Sequence, residues 1–317
     1  MLPVPPVCQV AFSATDLERT HAWYREIFGF LPSGGTRIVR GPLFSRRVGL
    51  PKLATTIRFL VDKQDFFHLE MFRFESPRAK PMPTDWRPCD VGYTRLGLHV
   101  DDFDATLERL GKAGVQPLAD AIGTVGTRRV CVRDPEGVLL ELMEDDPRVP
   151  SAPPRARREV PVAVRSVTLS VPDLDRSRRF FVDTLGLREA NQYVLHRPEH
   201  EALWSLPGAQ RKSLLLWAGD FLIELVQYTD PVGKPRPEGY RVCDQGLSHI
   251  ALGFRSLGEF SAVYRRATAA GYRSNSRPLQ MLAFSFLYLN DDQGFTVEMM
   301  MVRSWFDGFL GFRPRPG

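Results

Sequence analysis

The stretch QVAFSATDLERTHAWYREIFGF, Gln9 to Phe30, changes its hydrophobic period part-way along. Apolar and polar residues alternate through Phe12, as on a half-buried strand, and after Asp16 they follow helical spacing. Asp16 stands where a helix N-cap belongs and Gly29 where a left-handed C-terminal cap belongs, so the stretch reads as strand, cap, helix. The design returns in SVTLSVPDLDRSRRFFVDTLGL, Ser166 to Leu187, where Asp173 follows Asp16 and Gly186 follows Gly29 by 157 positions each. Internal repetition at a fixed offset decides the architecture.

Two further copies lie between and after these. RLGLHVDDFDATLERLGKAGV (Arg95 to Val115) and HIALGFRSLGEFSAVYRRATAAGY (His249 to Tyr272) each give a strand, a polar turn and a helix, closed by Gly114 or Gly271, again 157 positions apart. DPEGVLLELME matches DDQGFTVEMMM at the same offset and sets Glu141 against Glu298. The first and third copies end in FFHLEMF, with Glu70, and FLIELVQ, with Glu224. Each unit therefore predicts a strand, a helix and about three strands, the last carrying a glutamate between apolar neighbours. The units span about 7–75, 92–146, 162–229 and 246–301. This predicts a first domain over 1–146, a proline- and arginine-rich linker over 147–161, and a second domain over 162–317 that includes a C-terminal tail. In each half a proline-rich connection, 75–92 or 229–246, is long enough to cover a pocket mouth.

A chain of 317 residues, 43% hydrophobic and 25% charged, has the material for two cores. No apolar run reaches the ~18 residues that would cross a bilayer, and the N-terminal residues lack the pattern of a secretion signal, so a cytoplasmic protein without a membrane partner is expected. The four cysteines are scattered, without the close pairs of zinc knuckles or redox motifs, and read as reduced thiols. The net charge of +5 comes from dispersed arginines, which argues against nucleic acid and suits an anionic small molecule.

Four βαβββ units, each with a polar residue on the first strand and a glutamate on the last, resemble the vicinal oxygen chelate superfamily of glyoxalase I, methylmalonyl-CoA epimerase, extradiol dioxygenases and metal-free resistance proteins. The likeness runs from about Val7 to Met301; D-x-x-G-x-x-x-E and the L-G-L helix ending are individually weak, but their recurrence in register is specific. The resemblance implies an α+β fold of four modules paired into two open, curled mixed β-sheet half-barrels, with ligands projecting inward from first and last strands. The first-strand positions are Gln9, Arg95, Ser166 and His249; the last-strand positions are Glu70, Glu141, Glu224 and Glu298.

Pairing within each half would set His249 with Ser166, Glu224 and Glu298. Fused members of the family can instead pair the first unit with the fourth, which would unite Gln9, Glu70, His249 and Glu298 in the glyoxalase-type pattern. The other sheet would then hold Arg95, Glu141, Ser166 and Glu224 as an ion-pair cluster. The sequence leaves both pairings open. On the quartet, the expected cofactor is a divalent ion (Mn, Co, Ni, Zn or Fe), and Glu298 or Glu70 would be the catalytic base of a lyase or isomerase acting on a substrate with vicinal oxygens through an enolate. An extradiol dioxygenase is the alternative, weakened by the lack of a second ligand histidine; a metal-free protein binding an aromatic or anionic molecule is a third. His68 shares the face of Glu70, whereas His196 and His200 fall in a polar connection and are expected to take no ligand role. The chain is expected to be a monomer or homodimer.

Overall fold

The computed structural model describes residues 4–147, 157 and 159–315; most of the expected linker over 147–161 lies outside the described residues. The first unit contains β1 (Val7–Ser13), α1 (Leu17–Phe28), β2 (Leu31–Arg40), α2 (Pro42–Val48), β3 (Ala54–Val61) and β4 (His68–Ser76). The second has β5 (Gly92–Val100), α3 (Phe103–Lys112), β6 (Arg129–Arg133) and β7 (Leu139–Met143). In the third are β8 (Val162–Ser170), α4 (Leu174–Arg178), β9 (Arg188–Glu189), β10 (Gln210–Ala218) and β11 (Phe221–Asp230). The fourth comprises β12 (Gly246–Phe254), α5 (Leu257–Ala269), β13 (Arg273–Ser274), β14 (Leu279–Gln280), β15 (Phe284–Asn290) and β16 (Thr296–Val302).

The expected caps form. Asp16 accepts a hydrogen bond from the Arg19 amide and Gly29 takes φ 78°; Asp173 caps α4 through the Arg176 amide. The third helix departs from its siblings, because after five α-helical residues Arg179–Thr184 widens into a π-helical turn before Gly186. An insertion in the first unit also supplies the short helix α2, which the repeat pattern does not contain.

The strands form two open mixed sheets. One runs β13-β15-β16-β12-β1-β4-β3-β2, with β14 beside β15, and the other runs β6-β7-β5-β8-β11-β10-β9. The first unit thus pairs with the fourth and the second with the third. Neither half of the chain, 1–146 or 162–317, builds a sheet by itself. The joining seams are antiparallel, β1 with β12 and β5 with β8. Val10 and Phe12 face a core that contains Tyr24 and Phe28 of α1, and that core draws residues from all four units. Because side chains alternate across a strand, Gln9 and Ala11 face the opposite way.

The sheets are also stitched through the repeated turns. Glu136, in the β6–β7 turn, accepts from the Thr15 and Asp16 amides and the Thr20 hydroxyl, at the N-terminus of α1. Gln293, its counterpart 157 positions on, accepts from the Asp173 amide and donates to Ser177 in α4.

At the β1–β12 seam the strands approach so closely that a Cβ on Gly253 would stand 2.5 Å from Phe66 and 2.9 Å from Cys8. Gly253→Ala is expected to lower stability by about 1–3 kcal/mol, the usual cost of overpacking, read as a reduced urea midpoint with unchanged slope.

Candidate metal centre

The register of the first sheet collects its polar residues on one face. Gln9 lies opposite Ala251, and Ala11 opposite His249, across the antiparallel seam. Glu70 pairs with Ala11 on one side and Glu298 with Ala251 on the other. The two alanines occupy the middle of this face, and their small side chains leave room between four longer ones. Gln9, Glu70, His249 and Glu298 are all buried.

One oxygen each from Glu70 and Glu298 and one His249 nitrogen lie within 4.8 Å of one another. The Gln9 side-chain nitrogen is 2.7 Å from Glu70 and 3.0 Å from Glu298. Burial, with Glu298 alongside, pushes the Glu70 carboxyl well above its usual range. Tyr288 stands edge-on to His249, and burial, then the Glu298 and Glu70 charges, drive its phenol well above its ordinary value.

The hydrogen bonds of His249 test whether a cation fits. Ser248 donates its hydroxyl proton to the Ala11 carbonyl (3.1 Å), so it can only accept from His249 Nδ1, 3.0 Å away. The proton of a neutral ring is therefore on Nδ1, and Nε2 carries a lone pair. That nitrogen is buried, has no hydrogen-bond partner, and stands 3.4 Å from a Glu298 oxygen, another electron-pair donor. No lysine or arginine pairs with either glutamate among the described residues. A divalent cation would satisfy all these lone pairs at once, and one imidazole with oxygen donors is the kind of set that suits a first-row ion.

The second sheet places its equivalent residues on one face too, but fills the centre differently. His196, given no ligand role by the sequence reading, comes from the β9–β10 connection and lies between the carboxylates, 2.6 Å from Glu141 and 2.7 Å from Glu224. The sequence signal was only LHRPEH; nothing local indicated that a connection would fold back into the sheet. Arg95 reaches Glu224 at 3.1 Å and stacks on Trp204 at 3.6 Å. Arg129, which the sequence reading did not single out, pairs with Glu141 at 3.2 Å. Burial opposes charge on His196, yet Glu141 and Glu224 raise its pKa above the usual 6.5. Burial would likewise raise Glu141, but His196, then Arg129 and Arg95, hold it at about 2. The second site is an internal ion-pair cluster with an imidazolium at its centre. His200 stands beside it, with its pKa lowered by burial to about 4.

The remaining histidines are His68, His21 and His99. His68 does share the face of Glu70, and contacts Gln9; burial lowers its pKa to about 3, so the ring is neutral. His21 is in α1 and His99 in β5, neither in the quartet.

Two open sheets of paired βαβββ units, with inward-facing first- and last-strand donors, define a vicinal-oxygen-chelate architecture. The sequence matches the Glyoxalase/Bleomycin resistance protein/Dioxygenase superfamily over 8–142 and again over 163–299, and the chain belongs to that superfamily. Glyoxalase I from Zea mays shares the fold with a TM-score of 0.59 and 18% identity, over 96% of this chain and 94% of that one. A mutant of the maize enzyme gives 0.61 and 17%, over 97% and 96%. A Bacillus subtilis protein provisionally assigned as a dioxygenase gives 0.64 and 14%, over 100% and 92%. At these identities the likeness is one of fold. No curated protein matches the sequence significantly.

The imidazolium makes a stability prediction with a defined pH window. The raised pKa of His196 means its contribution is complete below 6.5 and fades as pH rises through the folded-state value. The depressed pKa of Glu141 means its contribution is complete above 4.5 and fades as pH falls toward 2. His196→Gln is expected to cost about 3 kcal/mol near pH ~6, with the difference from wild type shrinking on both sides, measured by denaturant melts across pH.

Proposed function

We propose that the first sheet is the active site of a metal-dependent lyase or isomerase acting on a small molecule with vicinal oxygens. The observation that carries this reading is the His249 nitrogen, bare and buried against two carboxylates, with Gln9 completing the group. Gln9, Glu70, His249 and Glu298 would hold a divalent Mn, Co, Ni, Zn or Fe ion. When bound, such an ion supplies Lewis acidity that lowers the pKa of a C–H beside the substrate oxygens.

The protein's own part is to take that proton and return it to the neighbouring carbon. Glu298 or Glu70 serves as the base, since both carboxylates are buried on the face that carries the His249 nitrogen. Extradiol ring cleavage fits less well, because it asks for a second ligand histidine. The nearest, His68, turns Nε2 to Gln9 instead.

Apolar packing borders the quartet on one side. Leu50 and Leu53 pack with Phe72, whose ring is 6.2 Å from His249, and with Phe44 and Val48 of α2. The same two leucines line an open hollow of about 750 Å³ with Arg40, Arg46 and Lys52.

Two measurements test the reading. Elemental analysis after metal loading should find one divalent ion per chain, and His249→Ala should weaken binding by more than the ~10–100-fold of outer-shell changes. An ion retained undiminished in that mutant places the site elsewhere. In D2O, the loaded protein should exchange deuterium into α-hydroxycarbonyl substrates, and Glu298→Gln with Glu70→Gln should slow exchange by ~10²–10⁴. Oxygen uptake with catechols would transfer the assignment to a dioxygenase, and ligand-induced thermal stabilisation indifferent to EDTA would transfer it to a metal-free binding protein.

A further inference from the structure

We infer that His68 is a positioning residue that turns the Gln9 amide oxygen toward Glu70, His249 and Glu298, and that the C-terminal segment sets His68 through the Gly311 carbonyl. The inference rests on the divalent-ion site proposed above.

His68 lies in β4 two residues before Glu70, and its ring is clamped. Phe59 stacks on one side at 4.6 Å and Phe312 on the other at 4.3 Å, with interplanar angles of 16° and 3°. Its Nδ1 is 3.1 Å from the Gly311 carbonyl oxygen and its Nε2 is 2.7 Å from the Gln9 amide oxygen. A neutral imidazole has one donor and one acceptor. The Gly311 carbonyl can only accept, so Nδ1 holds the proton and Nε2 presents a lone pair to Gln9.

The two ends of an amide have the same shape and are told apart by their partners. The structure has the nitrogen inward, where Gln9 donates to both glutamates, but its oxygen then meets the His68 lone pair. With the oxygen inward, Gln9 donates to His68 and offers a ligand atom to the group formed by Glu70, His249 and Glu298. That orientation sets oxygen against two carboxylates, which a cation between them reconciles. His68 therefore biases Gln9 toward its ligating orientation before any ion arrives.

The carbonyl that orients His68 is held from outside the site. Arg157 donates to the Phe312 carbonyl at 2.6 Å, and Arg255 donates to Asp307 at 3.0 Å. Gly311 has φ +79°, and a Cβ there would stand 2.6 Å from Phe59, so only glycine brings the segment this close. The tail beyond β16 is thus coupled to a ligand on β1 through one ring.

The experiment uses the intact chain. In 15N-labelled protein loaded with Zn(II), long-range 1H–15N spectra should show His68 protonated at Nδ1 and bare at Nε2; a ring protonated at Nε2 overturns the inference. Co(II) affinity, measured by chelator competition, should fall about ten- to a hundred-fold in His68→Phe. Adding Gln9→Glu should recover most of it, because either oxygen of a carboxylate can ligate and no partner need choose between them. Unchanged affinity in His68→Phe, or a loss that Gln9→Glu does not recover, also overturns the inference. Should His68→Phe fail to fold, the wild-type tautomer decides. A wild-type chain that takes up neither ion instead overturns the reading of the site itself.

Discussion

The antiparallel pairing of β1 with β12 is the constraint on which the site depends. It joins the first unit of the chain to the last, and its register sets Ala11 across from His249 and Gln9 across from Ala251. A one-residue slip would turn every side chain of one strand to the other face and disperse the quartet. The outer partners β4 and β16 extend the same alternation, so Glu70 and Glu298 arrive from opposite sides of the seam. Repeated turns then hold the other sheet in place, Glu136 on α1 and Gln293 on α4.

The two sheets solve one electrostatic problem in different ways. Each buries two glutamates on one face, where unpaired negative charge is costly. The second sheet supplies positive charge internally, with His196 between Glu141 and Glu224 and arginines around them. In the first sheet the residues facing the carboxylates are electron-pair donors or neutral amides: a bare His249 nitrogen, a glutamine and a phenol. The same fold and spacing thus give an occupied ion-pair cluster in one sheet and a set of converging electron-pair donors in the other. The difference lies in a few side chains, above all in His196.

Much of this architecture was legible from local pattern. The caps at Asp16 and Asp173, the closing glycines and the strand glutamates are written in short windows, because helix ends and strand alternation are set by neighbouring residues. The fourfold recurrence implied the paired-unit fold, and the family match and the two open sheets bear that out. Hidden from that reading were α2, the π-helical turn after α4, and the entry of His196 into the second sheet. Each depends on contacts between segments far apart in the chain, for which periodicity carries no signal.

The sequence by itself determined the βαβββ unit, its four copies and the residues that face inward, since these follow from steric and hydrophobic periods only a few residues long. Only the tertiary structure decided which units share a sheet. Both pairings preserve every local period, and the choice between them is made by the seams, where Gly253 packs against Cys8 and Phe66 and Gly97 against Ser166. The same long-range packing brought the Gly311 carbonyl to His68, and with it the C-terminal segment to the edge of the candidate centre.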